Sequence, residues 1–158
     1  MLQRIQSVYL LLAAIACILL FFFPLINYYD ENYGNYKLFI MGIQYLDPDP
    51  KGHFGKWFTL PLIIIPIISI LIDGITVFFY KKRWLQMRFI SFSCLLMIVL
   101  VMIIFFFYAT KIETITHIAP EYNFLGMMLP LISLIFLILA NYAIRKDETM
   151  VKSADRLR

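Results

Sequence analysis

The sequence contains little of what enzymes and disulfide-stabilised proteins require. Its 158 residues include two cysteines, Cys17 and Cys94, and two histidines, His53 and His117. Both cysteines lie inside apolar runs and no CxxC occurs, which argues against a disulfide framework and against a disulfide-generating oxidoreductase. No Gly-rich phosphate loop, GxSxG motif or Ser/His/Asp spacing nominates a nucleophile with its base. The sequence therefore predicts no catalytic residue and no cofactor.

Charged residues are also scarce: they make up 15% of the chain, whereas hydrophobic residues make up 62%. Soluble domains are about half apolar, and the mean hydropathy here is +0.82. A spanning helix needs roughly 20 apolar residues to cross about 30 Å of hydrocarbon, and the runs lack the alternation of outer-membrane strands. The sequence therefore predicts an all-α membrane protein, a four-transmembrane-helix antiparallel bundle in a single domain, with helices at 7–26, 57–80, 89–109 and 125–144.

The basic residues alternate between the segments that connect these runs. Ten Lys and Arg residues lie in 1–6, 81–88 and 145–158, and four lie in 27–56 and 110–124. Because cytoplasmic segments are enriched in basic residues, we expect both termini in the cytoplasm. The net charge of +4 is then a topology signal, and no nucleic-acid partner is expected. The nine of these residues other than Arg4 are expected to face lipid or a partner: Lys81, Lys82, Arg83, Arg88, Arg145, Lys146, Lys152, Arg156 and Arg158.

The first outer loop, 27–56, is the largest segment outside the runs. Gly34-Asn35 is a two-residue turn signal ahead of the apolar stretch 36–46, which predicts a small β-hairpin on the outer face. Pro61 and Pro66 predict a kink in the second helix. The inner loop 81–88 is short enough to make the second and third helices an antiparallel hairpin.

The first helix is expected to stay uncleaved. Ala14-Ile15-Ala16-Cys17 loosely resembles a lipoprotein signal, but the apolar run continues through Phe23 without a polar break.

Asp73 is the only acidic residue inside an apolar run. A carboxylate there costs several kcal/mol, roughly, unless it is paired, protonated or hydrated. One hypothesis is a proton or cation site. The other is a structural role, with Gly74 permitting close helix approach, and we favour it because no second intramembrane charge supplies a relay. The polar cluster predicted around this carboxyl consists of Asp73, Thr76, Ser91, Ser93 and Asn141.

A metal site is not expected from the histidines. His53 and His117 both fall in outer segments with acidic residues, so a metal or haem site across the two loops is one interpretation. No HxxxH or HExxH spacing occurs, however, and lone loop histidines are usually solvated. The prediction is that no metal is bound.

The cytoplasmic segments carry two further patterns. Basic residues surround Trp84, which suits anionic lipid or RNA binding, but we favour a stop-transfer anchor, because the topology already accounts for these charges. The tail, 145–158, contains no Gly or Pro, so the fourth helix can continue into it. Met150, Ala154 and Leu157 form a narrow apolar stripe there, as expected of a helix that lies against the inner loop or a partner.

Three segments together resemble a known family: Leu2-Gln3-Arg4-Ile5-Gln6, the inner-loop sequence Tyr80-Lys81-Lys82-Arg83, and the tail with Val151-Lys152-Ser153-Ala154-Asp155-Arg156-Leu157-Arg158. The chain resembles an uncharacterised bacterial family of small four-helix integral membrane proteins, a domain of unknown function. The resemblance implies an inner-membrane location in a bacterium with two membranes. It implies no activity, so it assigns no catalytic residue.

Three functions remain open at this point. The leading hypothesis is a non-enzymatic accessory or scaffold subunit of an inner-membrane complex, whose partners are membrane lipids and other membrane subunits or a cytoplasmic protein. The second is a small transporter or channel that uses Asp73 as its proton or cation site. The third is a membrane enzyme acting on lipid or quinone, with His53 or His117 in the outer loops.

Overall fold

The structure is a computed structural model that describes residues 2–29, 35–46, 55, 57–79 and 82–156, with side chains described between 5 and 150. Most of these residues are helical. The helices are α1 (Leu2–Leu19), α2 (Leu60–Phe78), α3 (Arg83–Met102), α4 (Thr110–Thr116) and α5 (Phe124–Arg156). A π-helical segment, Ile103–Ala109, joins α3 to α4, so that one continuous rod covers Arg83–Thr116.

Three of the helical rods are long and apolar enough to span a membrane, namely Leu60–Phe78, Arg83–Thr116 and Phe124–Met150. Only 28%, 28% and 33% of their most apolar windows is buried, so most of that apolar surface faces outward. Outward-facing apolar rods of this length are typical of membrane proteins. In α1 the apolar stretch Ile5–Leu19 is shorter.

The first apolar run does not stay helical to its predicted end at residue 26. Helix α1 ends at Leu19, and the amides of Phe21 and Phe22 bond to carbonyls three residues back. Such bonds tighten a last helical turn. Pro24 explains the stop, because a proline disfavours helical backbone at the residue before it.

The helices pack as a closed four-membered ring. Helix α1 packs against α5 and α2, and the α3 rod packs against the same two helices. The seam between α1 and α5 contains small buried residues, Ala13 and Ala16 on α1 and Ala140 on α5. Small side chains allow two helix backbones to approach closely, which fits the extensive contact between the first and last helices.

A four-stranded antiparallel sheet lies at one end of the ring. Its strands are β1 (Ile26–Tyr28), β2 (Tyr36–Leu38), β3 (Ile43–Tyr45) and β4 (Glu121–Tyr122), in the order β3-β2-β1-β4. Ile26 pairs with Leu38 on one side and with Tyr122 on the other. The end that carries the sheet is called the sheet end below, and the opposite end, where Phe78 and Arg83 lie, is called the tail end.

The sheet is larger than the predicted hairpin and differs from it in one respect. The apolar stretch 36–46, which follows the predicted turn, itself folds back into β2 and β3 through a second turn, in which the backbones of Phe39 and Gly42 bond to each other. Gly34 lies outside the described residues. The fourth strand comes from the second outer loop, so the sheet ties the two loops together.

Prolines occupy both permitted and costly positions in the helices. Pro61 lies in the first turn of α2, where no intrahelical hydrogen bond is lost, so the kink expected there has no basis. Pro66 lies inside α2 and Pro130 inside α5, and each removes one such bond.

Helix α5 continues without a break past Ile144, as the absence of Gly and Pro from the tail predicts. Its 33 residues measure about 50 Å at 1.5 Å per residue. Hydrocarbon is only about 30 Å thick, so a helix of this length extends beyond any bilayer that it crosses.

Candidate functional site

Buried hydroxyl and thiol groups join the four helices of the ring in two pairs, α2 with α3 and α1 with α5. The hydroxyls of Ser69 on α2 and Ser93 on α3 lie 2.7 Å apart, and both residues are fully buried. The thiol of Cys17 on α1 lies 3.2 Å from the hydroxyl of Ser133 on α5, which also donates to the carbonyl of Ala13 at 3.3 Å. Each pair crosses between two helices, so these bonds fix the helices at matched depths.

Further polar contacts continue this interior toward the tail end. The amide Nε2 of Gln86 donates to the carbonyl of Thr76 at 3.0 Å, and the Thr76 hydroxyl donates to Ile72 at 2.6 Å. Nearer the termini, Nε2 of Gln6 donates to the carbonyl of Ala143 at 3.4 Å. Together these groups form a polar column, defined here as Cys17, Ser133, Ser69, Ser93, Asp73, Thr76, Gln86 and Gln6.

Asp73 is the one carboxyl in this column and is 1% exposed. Neither of its oxygens has a hydrogen-bond partner among the described residues. It lies one helical turn beyond Ser69 on α2. A buried carboxyl without firm partners is costly in hydrocarbon, so this group is the chemically notable part of the column.

Toward the sheet end the interior becomes apolar. The buried side chains beyond the Cys17–Ser133 contact include Leu20, Leu62, Leu100 and Ile104. Leu62 precedes Ser69 by seven residues, or about 10 Å along α2. The polar column therefore extends toward the tail end, and an apolar layer separates it from the sheet end.

The structure separates the residues predicted to surround Asp73. Ser93 and Thr76 are buried in the column. Ser91 is exposed, and its hydroxyl donates to the carbonyl of Met87. The amide oxygen of Asn141 is buried, but no hydrogen bond joins that residue to the carboxyl.

Gly74 does not mark a close helix approach, because a Cβ built on it meets nothing within 4 Å. The close approach is at Gly126, where a Cβ would overlap the carbonyl oxygen of Pro24.

The column residues that sequence reasoning missed are Ser69, Cys17, Ser133, Gln86 and Gln6. One signal could have found the first of them, because Ser69, Asp73 and Thr76 stand at i, i+4 and i+7 in an otherwise apolar helix. This spacing places them on one face. No comparable pattern marks the others, since a single Ser or Cys in an apolar run is common.

The tail end gathers the basic residues predicted to face lipid or a partner. Arg83 forms a salt bridge to Asp147 at 2.9 Å and also donates to its backbone carbonyl at 3.4 Å, which joins α3 to α5. The guanidinium of Arg88 stacks over the ring of Trp84, 3.6 Å from its centroid. Lys82, Arg145 and Lys146 are exposed at the same end. The side chains of Lys81, Lys152, Arg156 and Arg158 lie outside the described residues.

His117 has a structural position at the sheet end. It terminates α4 in the left-handed conformation, with φ 58°, and its amide donates to Glu113 at 2.7 Å. His53, Asp47 and Asp49 lie outside the described residues. Within the described ranges, no three His, Cys, Asp or Glu side chains are grouped closely enough to hold a metal ion.

Two tyrosines at the sheet end form a matched pair. The hydroxyl of Tyr108, in the π-helical segment, donates to the carbonyl of Phe58 at 2.6 Å. The hydroxyl of Tyr28 in β1 is buried without a hydrogen-bond partner, and that burial raises the pKa of Tyr28. The two rings are both fully buried, so replacement by phenylalanine isolates the hydroxyl in each case.

We expect Tyr108→Phe to lower the free energy of unfolding by about 1 kcal/mol, because a made hydrogen bond is lost. Tyr28→Phe should leave it within about 0.5 kcal/mol or raise it, because a partnerless hydroxyl leaves the interior. Thermal unfolding in detergent measures both. A larger loss for Tyr28→Phe than for Tyr108→Phe would show that the Tyr28 hydroxyl has a partner.

Comparison with protein-family models identifies the family of this chain. The family model described as "Domain of unknown function (DUF4293)" matches residues 2–157, nearly the whole chain. No curated protein matches the chain. The resemblance to an uncharacterised family is thereby confirmed.

Proposed function

The chain belongs to the DUF4293 family, and we propose that it is a non-enzymatic accessory or scaffold subunit of a bacterial inner-membrane complex. In this proposal α1 is a fourth spanning helix. Its residues Leu11, Ile15 and Ile18 are 58%, 42% and 46% exposed, as lipid-facing positions would be. The basic tail end then lies in the cytoplasm with both termini, and the sheet lies on the opposite side.

The observation that carries the proposal is the anchored extension of α5. Asp147 lies beyond the apolar part of α5 and is held by Arg83 from the start of α3. Their side chains are 14% and 28% exposed, so the contact is partly shielded from water. A helix fixed in this way presents residues beyond position 147 in one orientation, which is what a docking element requires.

The remaining sites favour binding over catalysis. His117 terminates a helix and is exposed, and the hydroxyls of the column are engaged with one another or with backbone. Such bonds hold helices together in lipid. A membrane enzyme acting on lipid or quinone would need His53 or another residue outside the described part.

One observation favours the second candidate, a small transporter or channel. Asp73 is a buried carboxyl without firm partners, which is the usual form of a proton or cation site. The apolar layer of Leu20, Leu62 and Ile104 weighs against a through path, because that layer separates the carboxyl from the sheet end. We therefore keep transport as the alternative.

The scaffold proposal is tested by purification of the tagged protein from native membranes in mild detergent. We expect other proteins to co-purify in fixed ratio. Asp147→Arg should lower their recovery about threefold to fivefold, since a partly exposed ion pair contributes up to about 1 kcal/mol. Arg83→Asp combined with Asp147→Arg restores the pair with its charges exchanged and should restore recovery.

Lys111→Ala provides the control, because Lys111 is an exposed basic residue on α4, toward the sheet end, and lies outside the salt bridge. Its recovery should equal that of the natural protein. If the protein elutes alone or as a homo-oligomer, the scaffold proposal is wrong. Recovery that is indifferent to Asp147→Arg would contradict the role given to the α5 extension.

A further inference from the structure

A groove runs along the outer surface of the bundle at the tail end, between α3 and α5. Its volume is about 570 Å³. Trp84, Arg88 and Ser91 line it from α3, and Arg145, Glu148 and Thr149 line it from α5. The groove shares Glu148 and Thr149 with the α5 extension, but the inference below concerns a lipid in the groove and does not require a protein partner at that extension.

The two arginines of the groove lie at the same depth. Arg88 precedes Tyr108 by 20 residues and Arg145 follows Leu125 by 20 residues. Twenty helical residues measure about 30 Å, which is the thickness of the hydrocarbon layer. A bilayer whose boundary on the sheet side lies at the level of Tyr108 and Leu125 would place both guanidiniums at its opposite boundary, the level of the lipid phosphates.

The charge of the groove suits one phosphodiester. Arg88 and Arg145 carry two positive charges and Glu148 carries one negative charge, which leaves a surplus of one. A guanidinium presents paired N–H donors that match two phosphate oxygens. Stacking on Trp84 holds the Arg88 guanidinium flat, 3.6 Å from the ring centroid, and a Trp ring is itself favoured at the membrane interface.

The other polar atoms of the groove suit a hydroxyl-bearing headgroup. The Ser91 hydroxyl donates to the carbonyl of Met87 at 2.9 Å, and the Thr149 hydroxyl donates to that of Lys146 at 2.8 Å. Each hydroxyl proton is thus engaged, but the oxygen lone pairs can still accept. Glycerol hydroxyls could donate to these two oxygens, whereas a trimethylammonium group has no N–H or O–H to donate.

Apolar surface continues from the groove toward the middle of the bundle. A smaller cleft of about 240 Å³ shares Arg145 with the groove and is also lined by Ile138, Asn141 and Tyr142. On α3, Leu95 stands one turn beyond Ser91 and is 54% exposed. An acyl chain leaving a headgroup at the arginines would lie along this surface.

We propose that the groove between α3 and α5 binds one anionic phospholipid with a glycerol headgroup, of the phosphatidylglycerol class. The guanidiniums of Arg88 and Arg145 hold its phosphodiester. The hydroxyl oxygens of Ser91 and Thr149 accept hydrogen bonds from the glycerol hydroxyls. The lipid then fills the space between the two helices at the boundary of the hydrocarbon.

Tryptophan fluorescence provides a local test. The chain has two tryptophans, and Trp57 is 80% exposed, so Trp57→Phe leaves Trp84 as the only emitter without disturbing the core. The full-length variant is reconstituted into phosphatidylcholine vesicles that contain either brominated phosphatidylglycerol or brominated phosphatidylcholine as the quencher. We expect the brominated anionic lipid to quench Trp84 with an apparent affinity about tenfold or more above that of the zwitterionic lipid, since each nearby cation contributes about fivefold.

Variants separate the groove from the general surface charge. Arg145→Gln leaves the Arg88–Trp84 stacking in place and should reduce the preference about fivefold. Lys146→Gln removes the same charge at an adjacent exposed residue outside the groove and should reduce the preference less than Arg145→Gln does, because it removes general attraction but no contact with the phosphodiester. Inorganic phosphate and glycerol 3-phosphate, added in excess, should not displace the quenching lipid.

The proposal is overturned by equal quenching by the two lipids, or by equal losses in Arg145→Gln and Lys146→Gln. Displacement by inorganic phosphate would also overturn it, because it would identify a free anion as the ligand. Absence of quenching by either lipid would show that protein covers the groove and would overturn it as well. Circular dichroism of each variant confirms that the helices are intact.

Discussion

Replacement of Gly126 by valine is expected to lower the free energy of unfolding by about 3 kcal/mol or more, enough to reduce the yield of folded protein sharply. A Cβ at this position would overlap the carbonyl oxygen of Pro24, which is backbone and has no rotamer to change. Overpacking usually costs about 1–3 kcal/mol, and the cost rises when the obstacle cannot move. The backbone N–H of Gly126 also donates to the side-chain oxygen of Asn123, which caps α5. The backbone N–H of Asn123 in turn donates to the carbonyl oxygen of Leu25. A shift of α5 would therefore disturb the sheet as well.

Gly74→Val and Gly74→Ala are the matched controls, because a Cβ on Gly74 meets nothing within 4 Å. The alanine variant should raise stability by up to about 1 kcal/mol, because alanine is a better helix former than glycine. Thermal unfolding of detergent-solubilised protein and the recovery of monodisperse material measure both positions. A Gly126→Val protein as stable as the Gly74 variants would show that α5 does not approach Pro24 so closely.

Asp73→Asn is expected to raise the free energy of unfolding by about 1–3 kcal/mol at pH 8 and to leave partner recovery unchanged. A charged carboxylate at the centre of a spanning helix costs about 2.5–3.5 kcal/mol on insertion scales. The carboxyl here has no firm hydrogen bond that the change would break. The amide has nearly the same shape, so no cavity forms. The apparent melting temperature in detergent should therefore increase.

Ser93→Ala provides the control of opposite sign. It removes the bond between the Ser93 and Ser69 hydroxyls and should cost about 1 kcal/mol. If Asp73→Asn is destabilising instead, the carboxyl has a partner that only it can satisfy, such as a bound cation. Proton or cation flux in proteoliposomes that is abolished by Asp73→Asn in a folded protein would replace the scaffold proposal with transport.

Much of the fold could be predicted because spanning length and the stop signals are local properties. The apolar runs predicted the long helices, and the absence of Gly and Pro from the tail predicted the continuation of α5. The sheet was predicted only as a hairpin because β4 has two residues and pairs with β1 across more than 90 positions. No short-range pattern encodes such a pairing. The close approach at Gly126 was missed for the same reason, since its obstacle lies on another element.

Of the candidate site, the sequence reveals most clearly the residue whose charge is energetically costly in a membrane. Asp73 stands out because a carboxyl in an apolar run is rare. Which of the two nearby serines faces the interior depends on the rotation of α3 about its axis, which the sequence does not specify. Ser93 is buried and Ser91 is exposed. The Cys17–Ser133 contact joins residues 116 positions apart and was inaccessible without the packing of α1 on α5.

The pairing of α1 with α5 has a consequence for biosynthesis. The first helix packs mainly against the last one, and about 105 residues separate Leu19 from Phe124. At roughly 5–20 residues per second, the ribosome needs about 5–20 s to make that stretch. During this interval the Ala13 face of α1 has no permanent partner in its own chain. In the four-span arrangement proposed above, the α5-facing side of the newly inserted first helix is therefore open to insertion factors or neighbouring chains until the last helix is made.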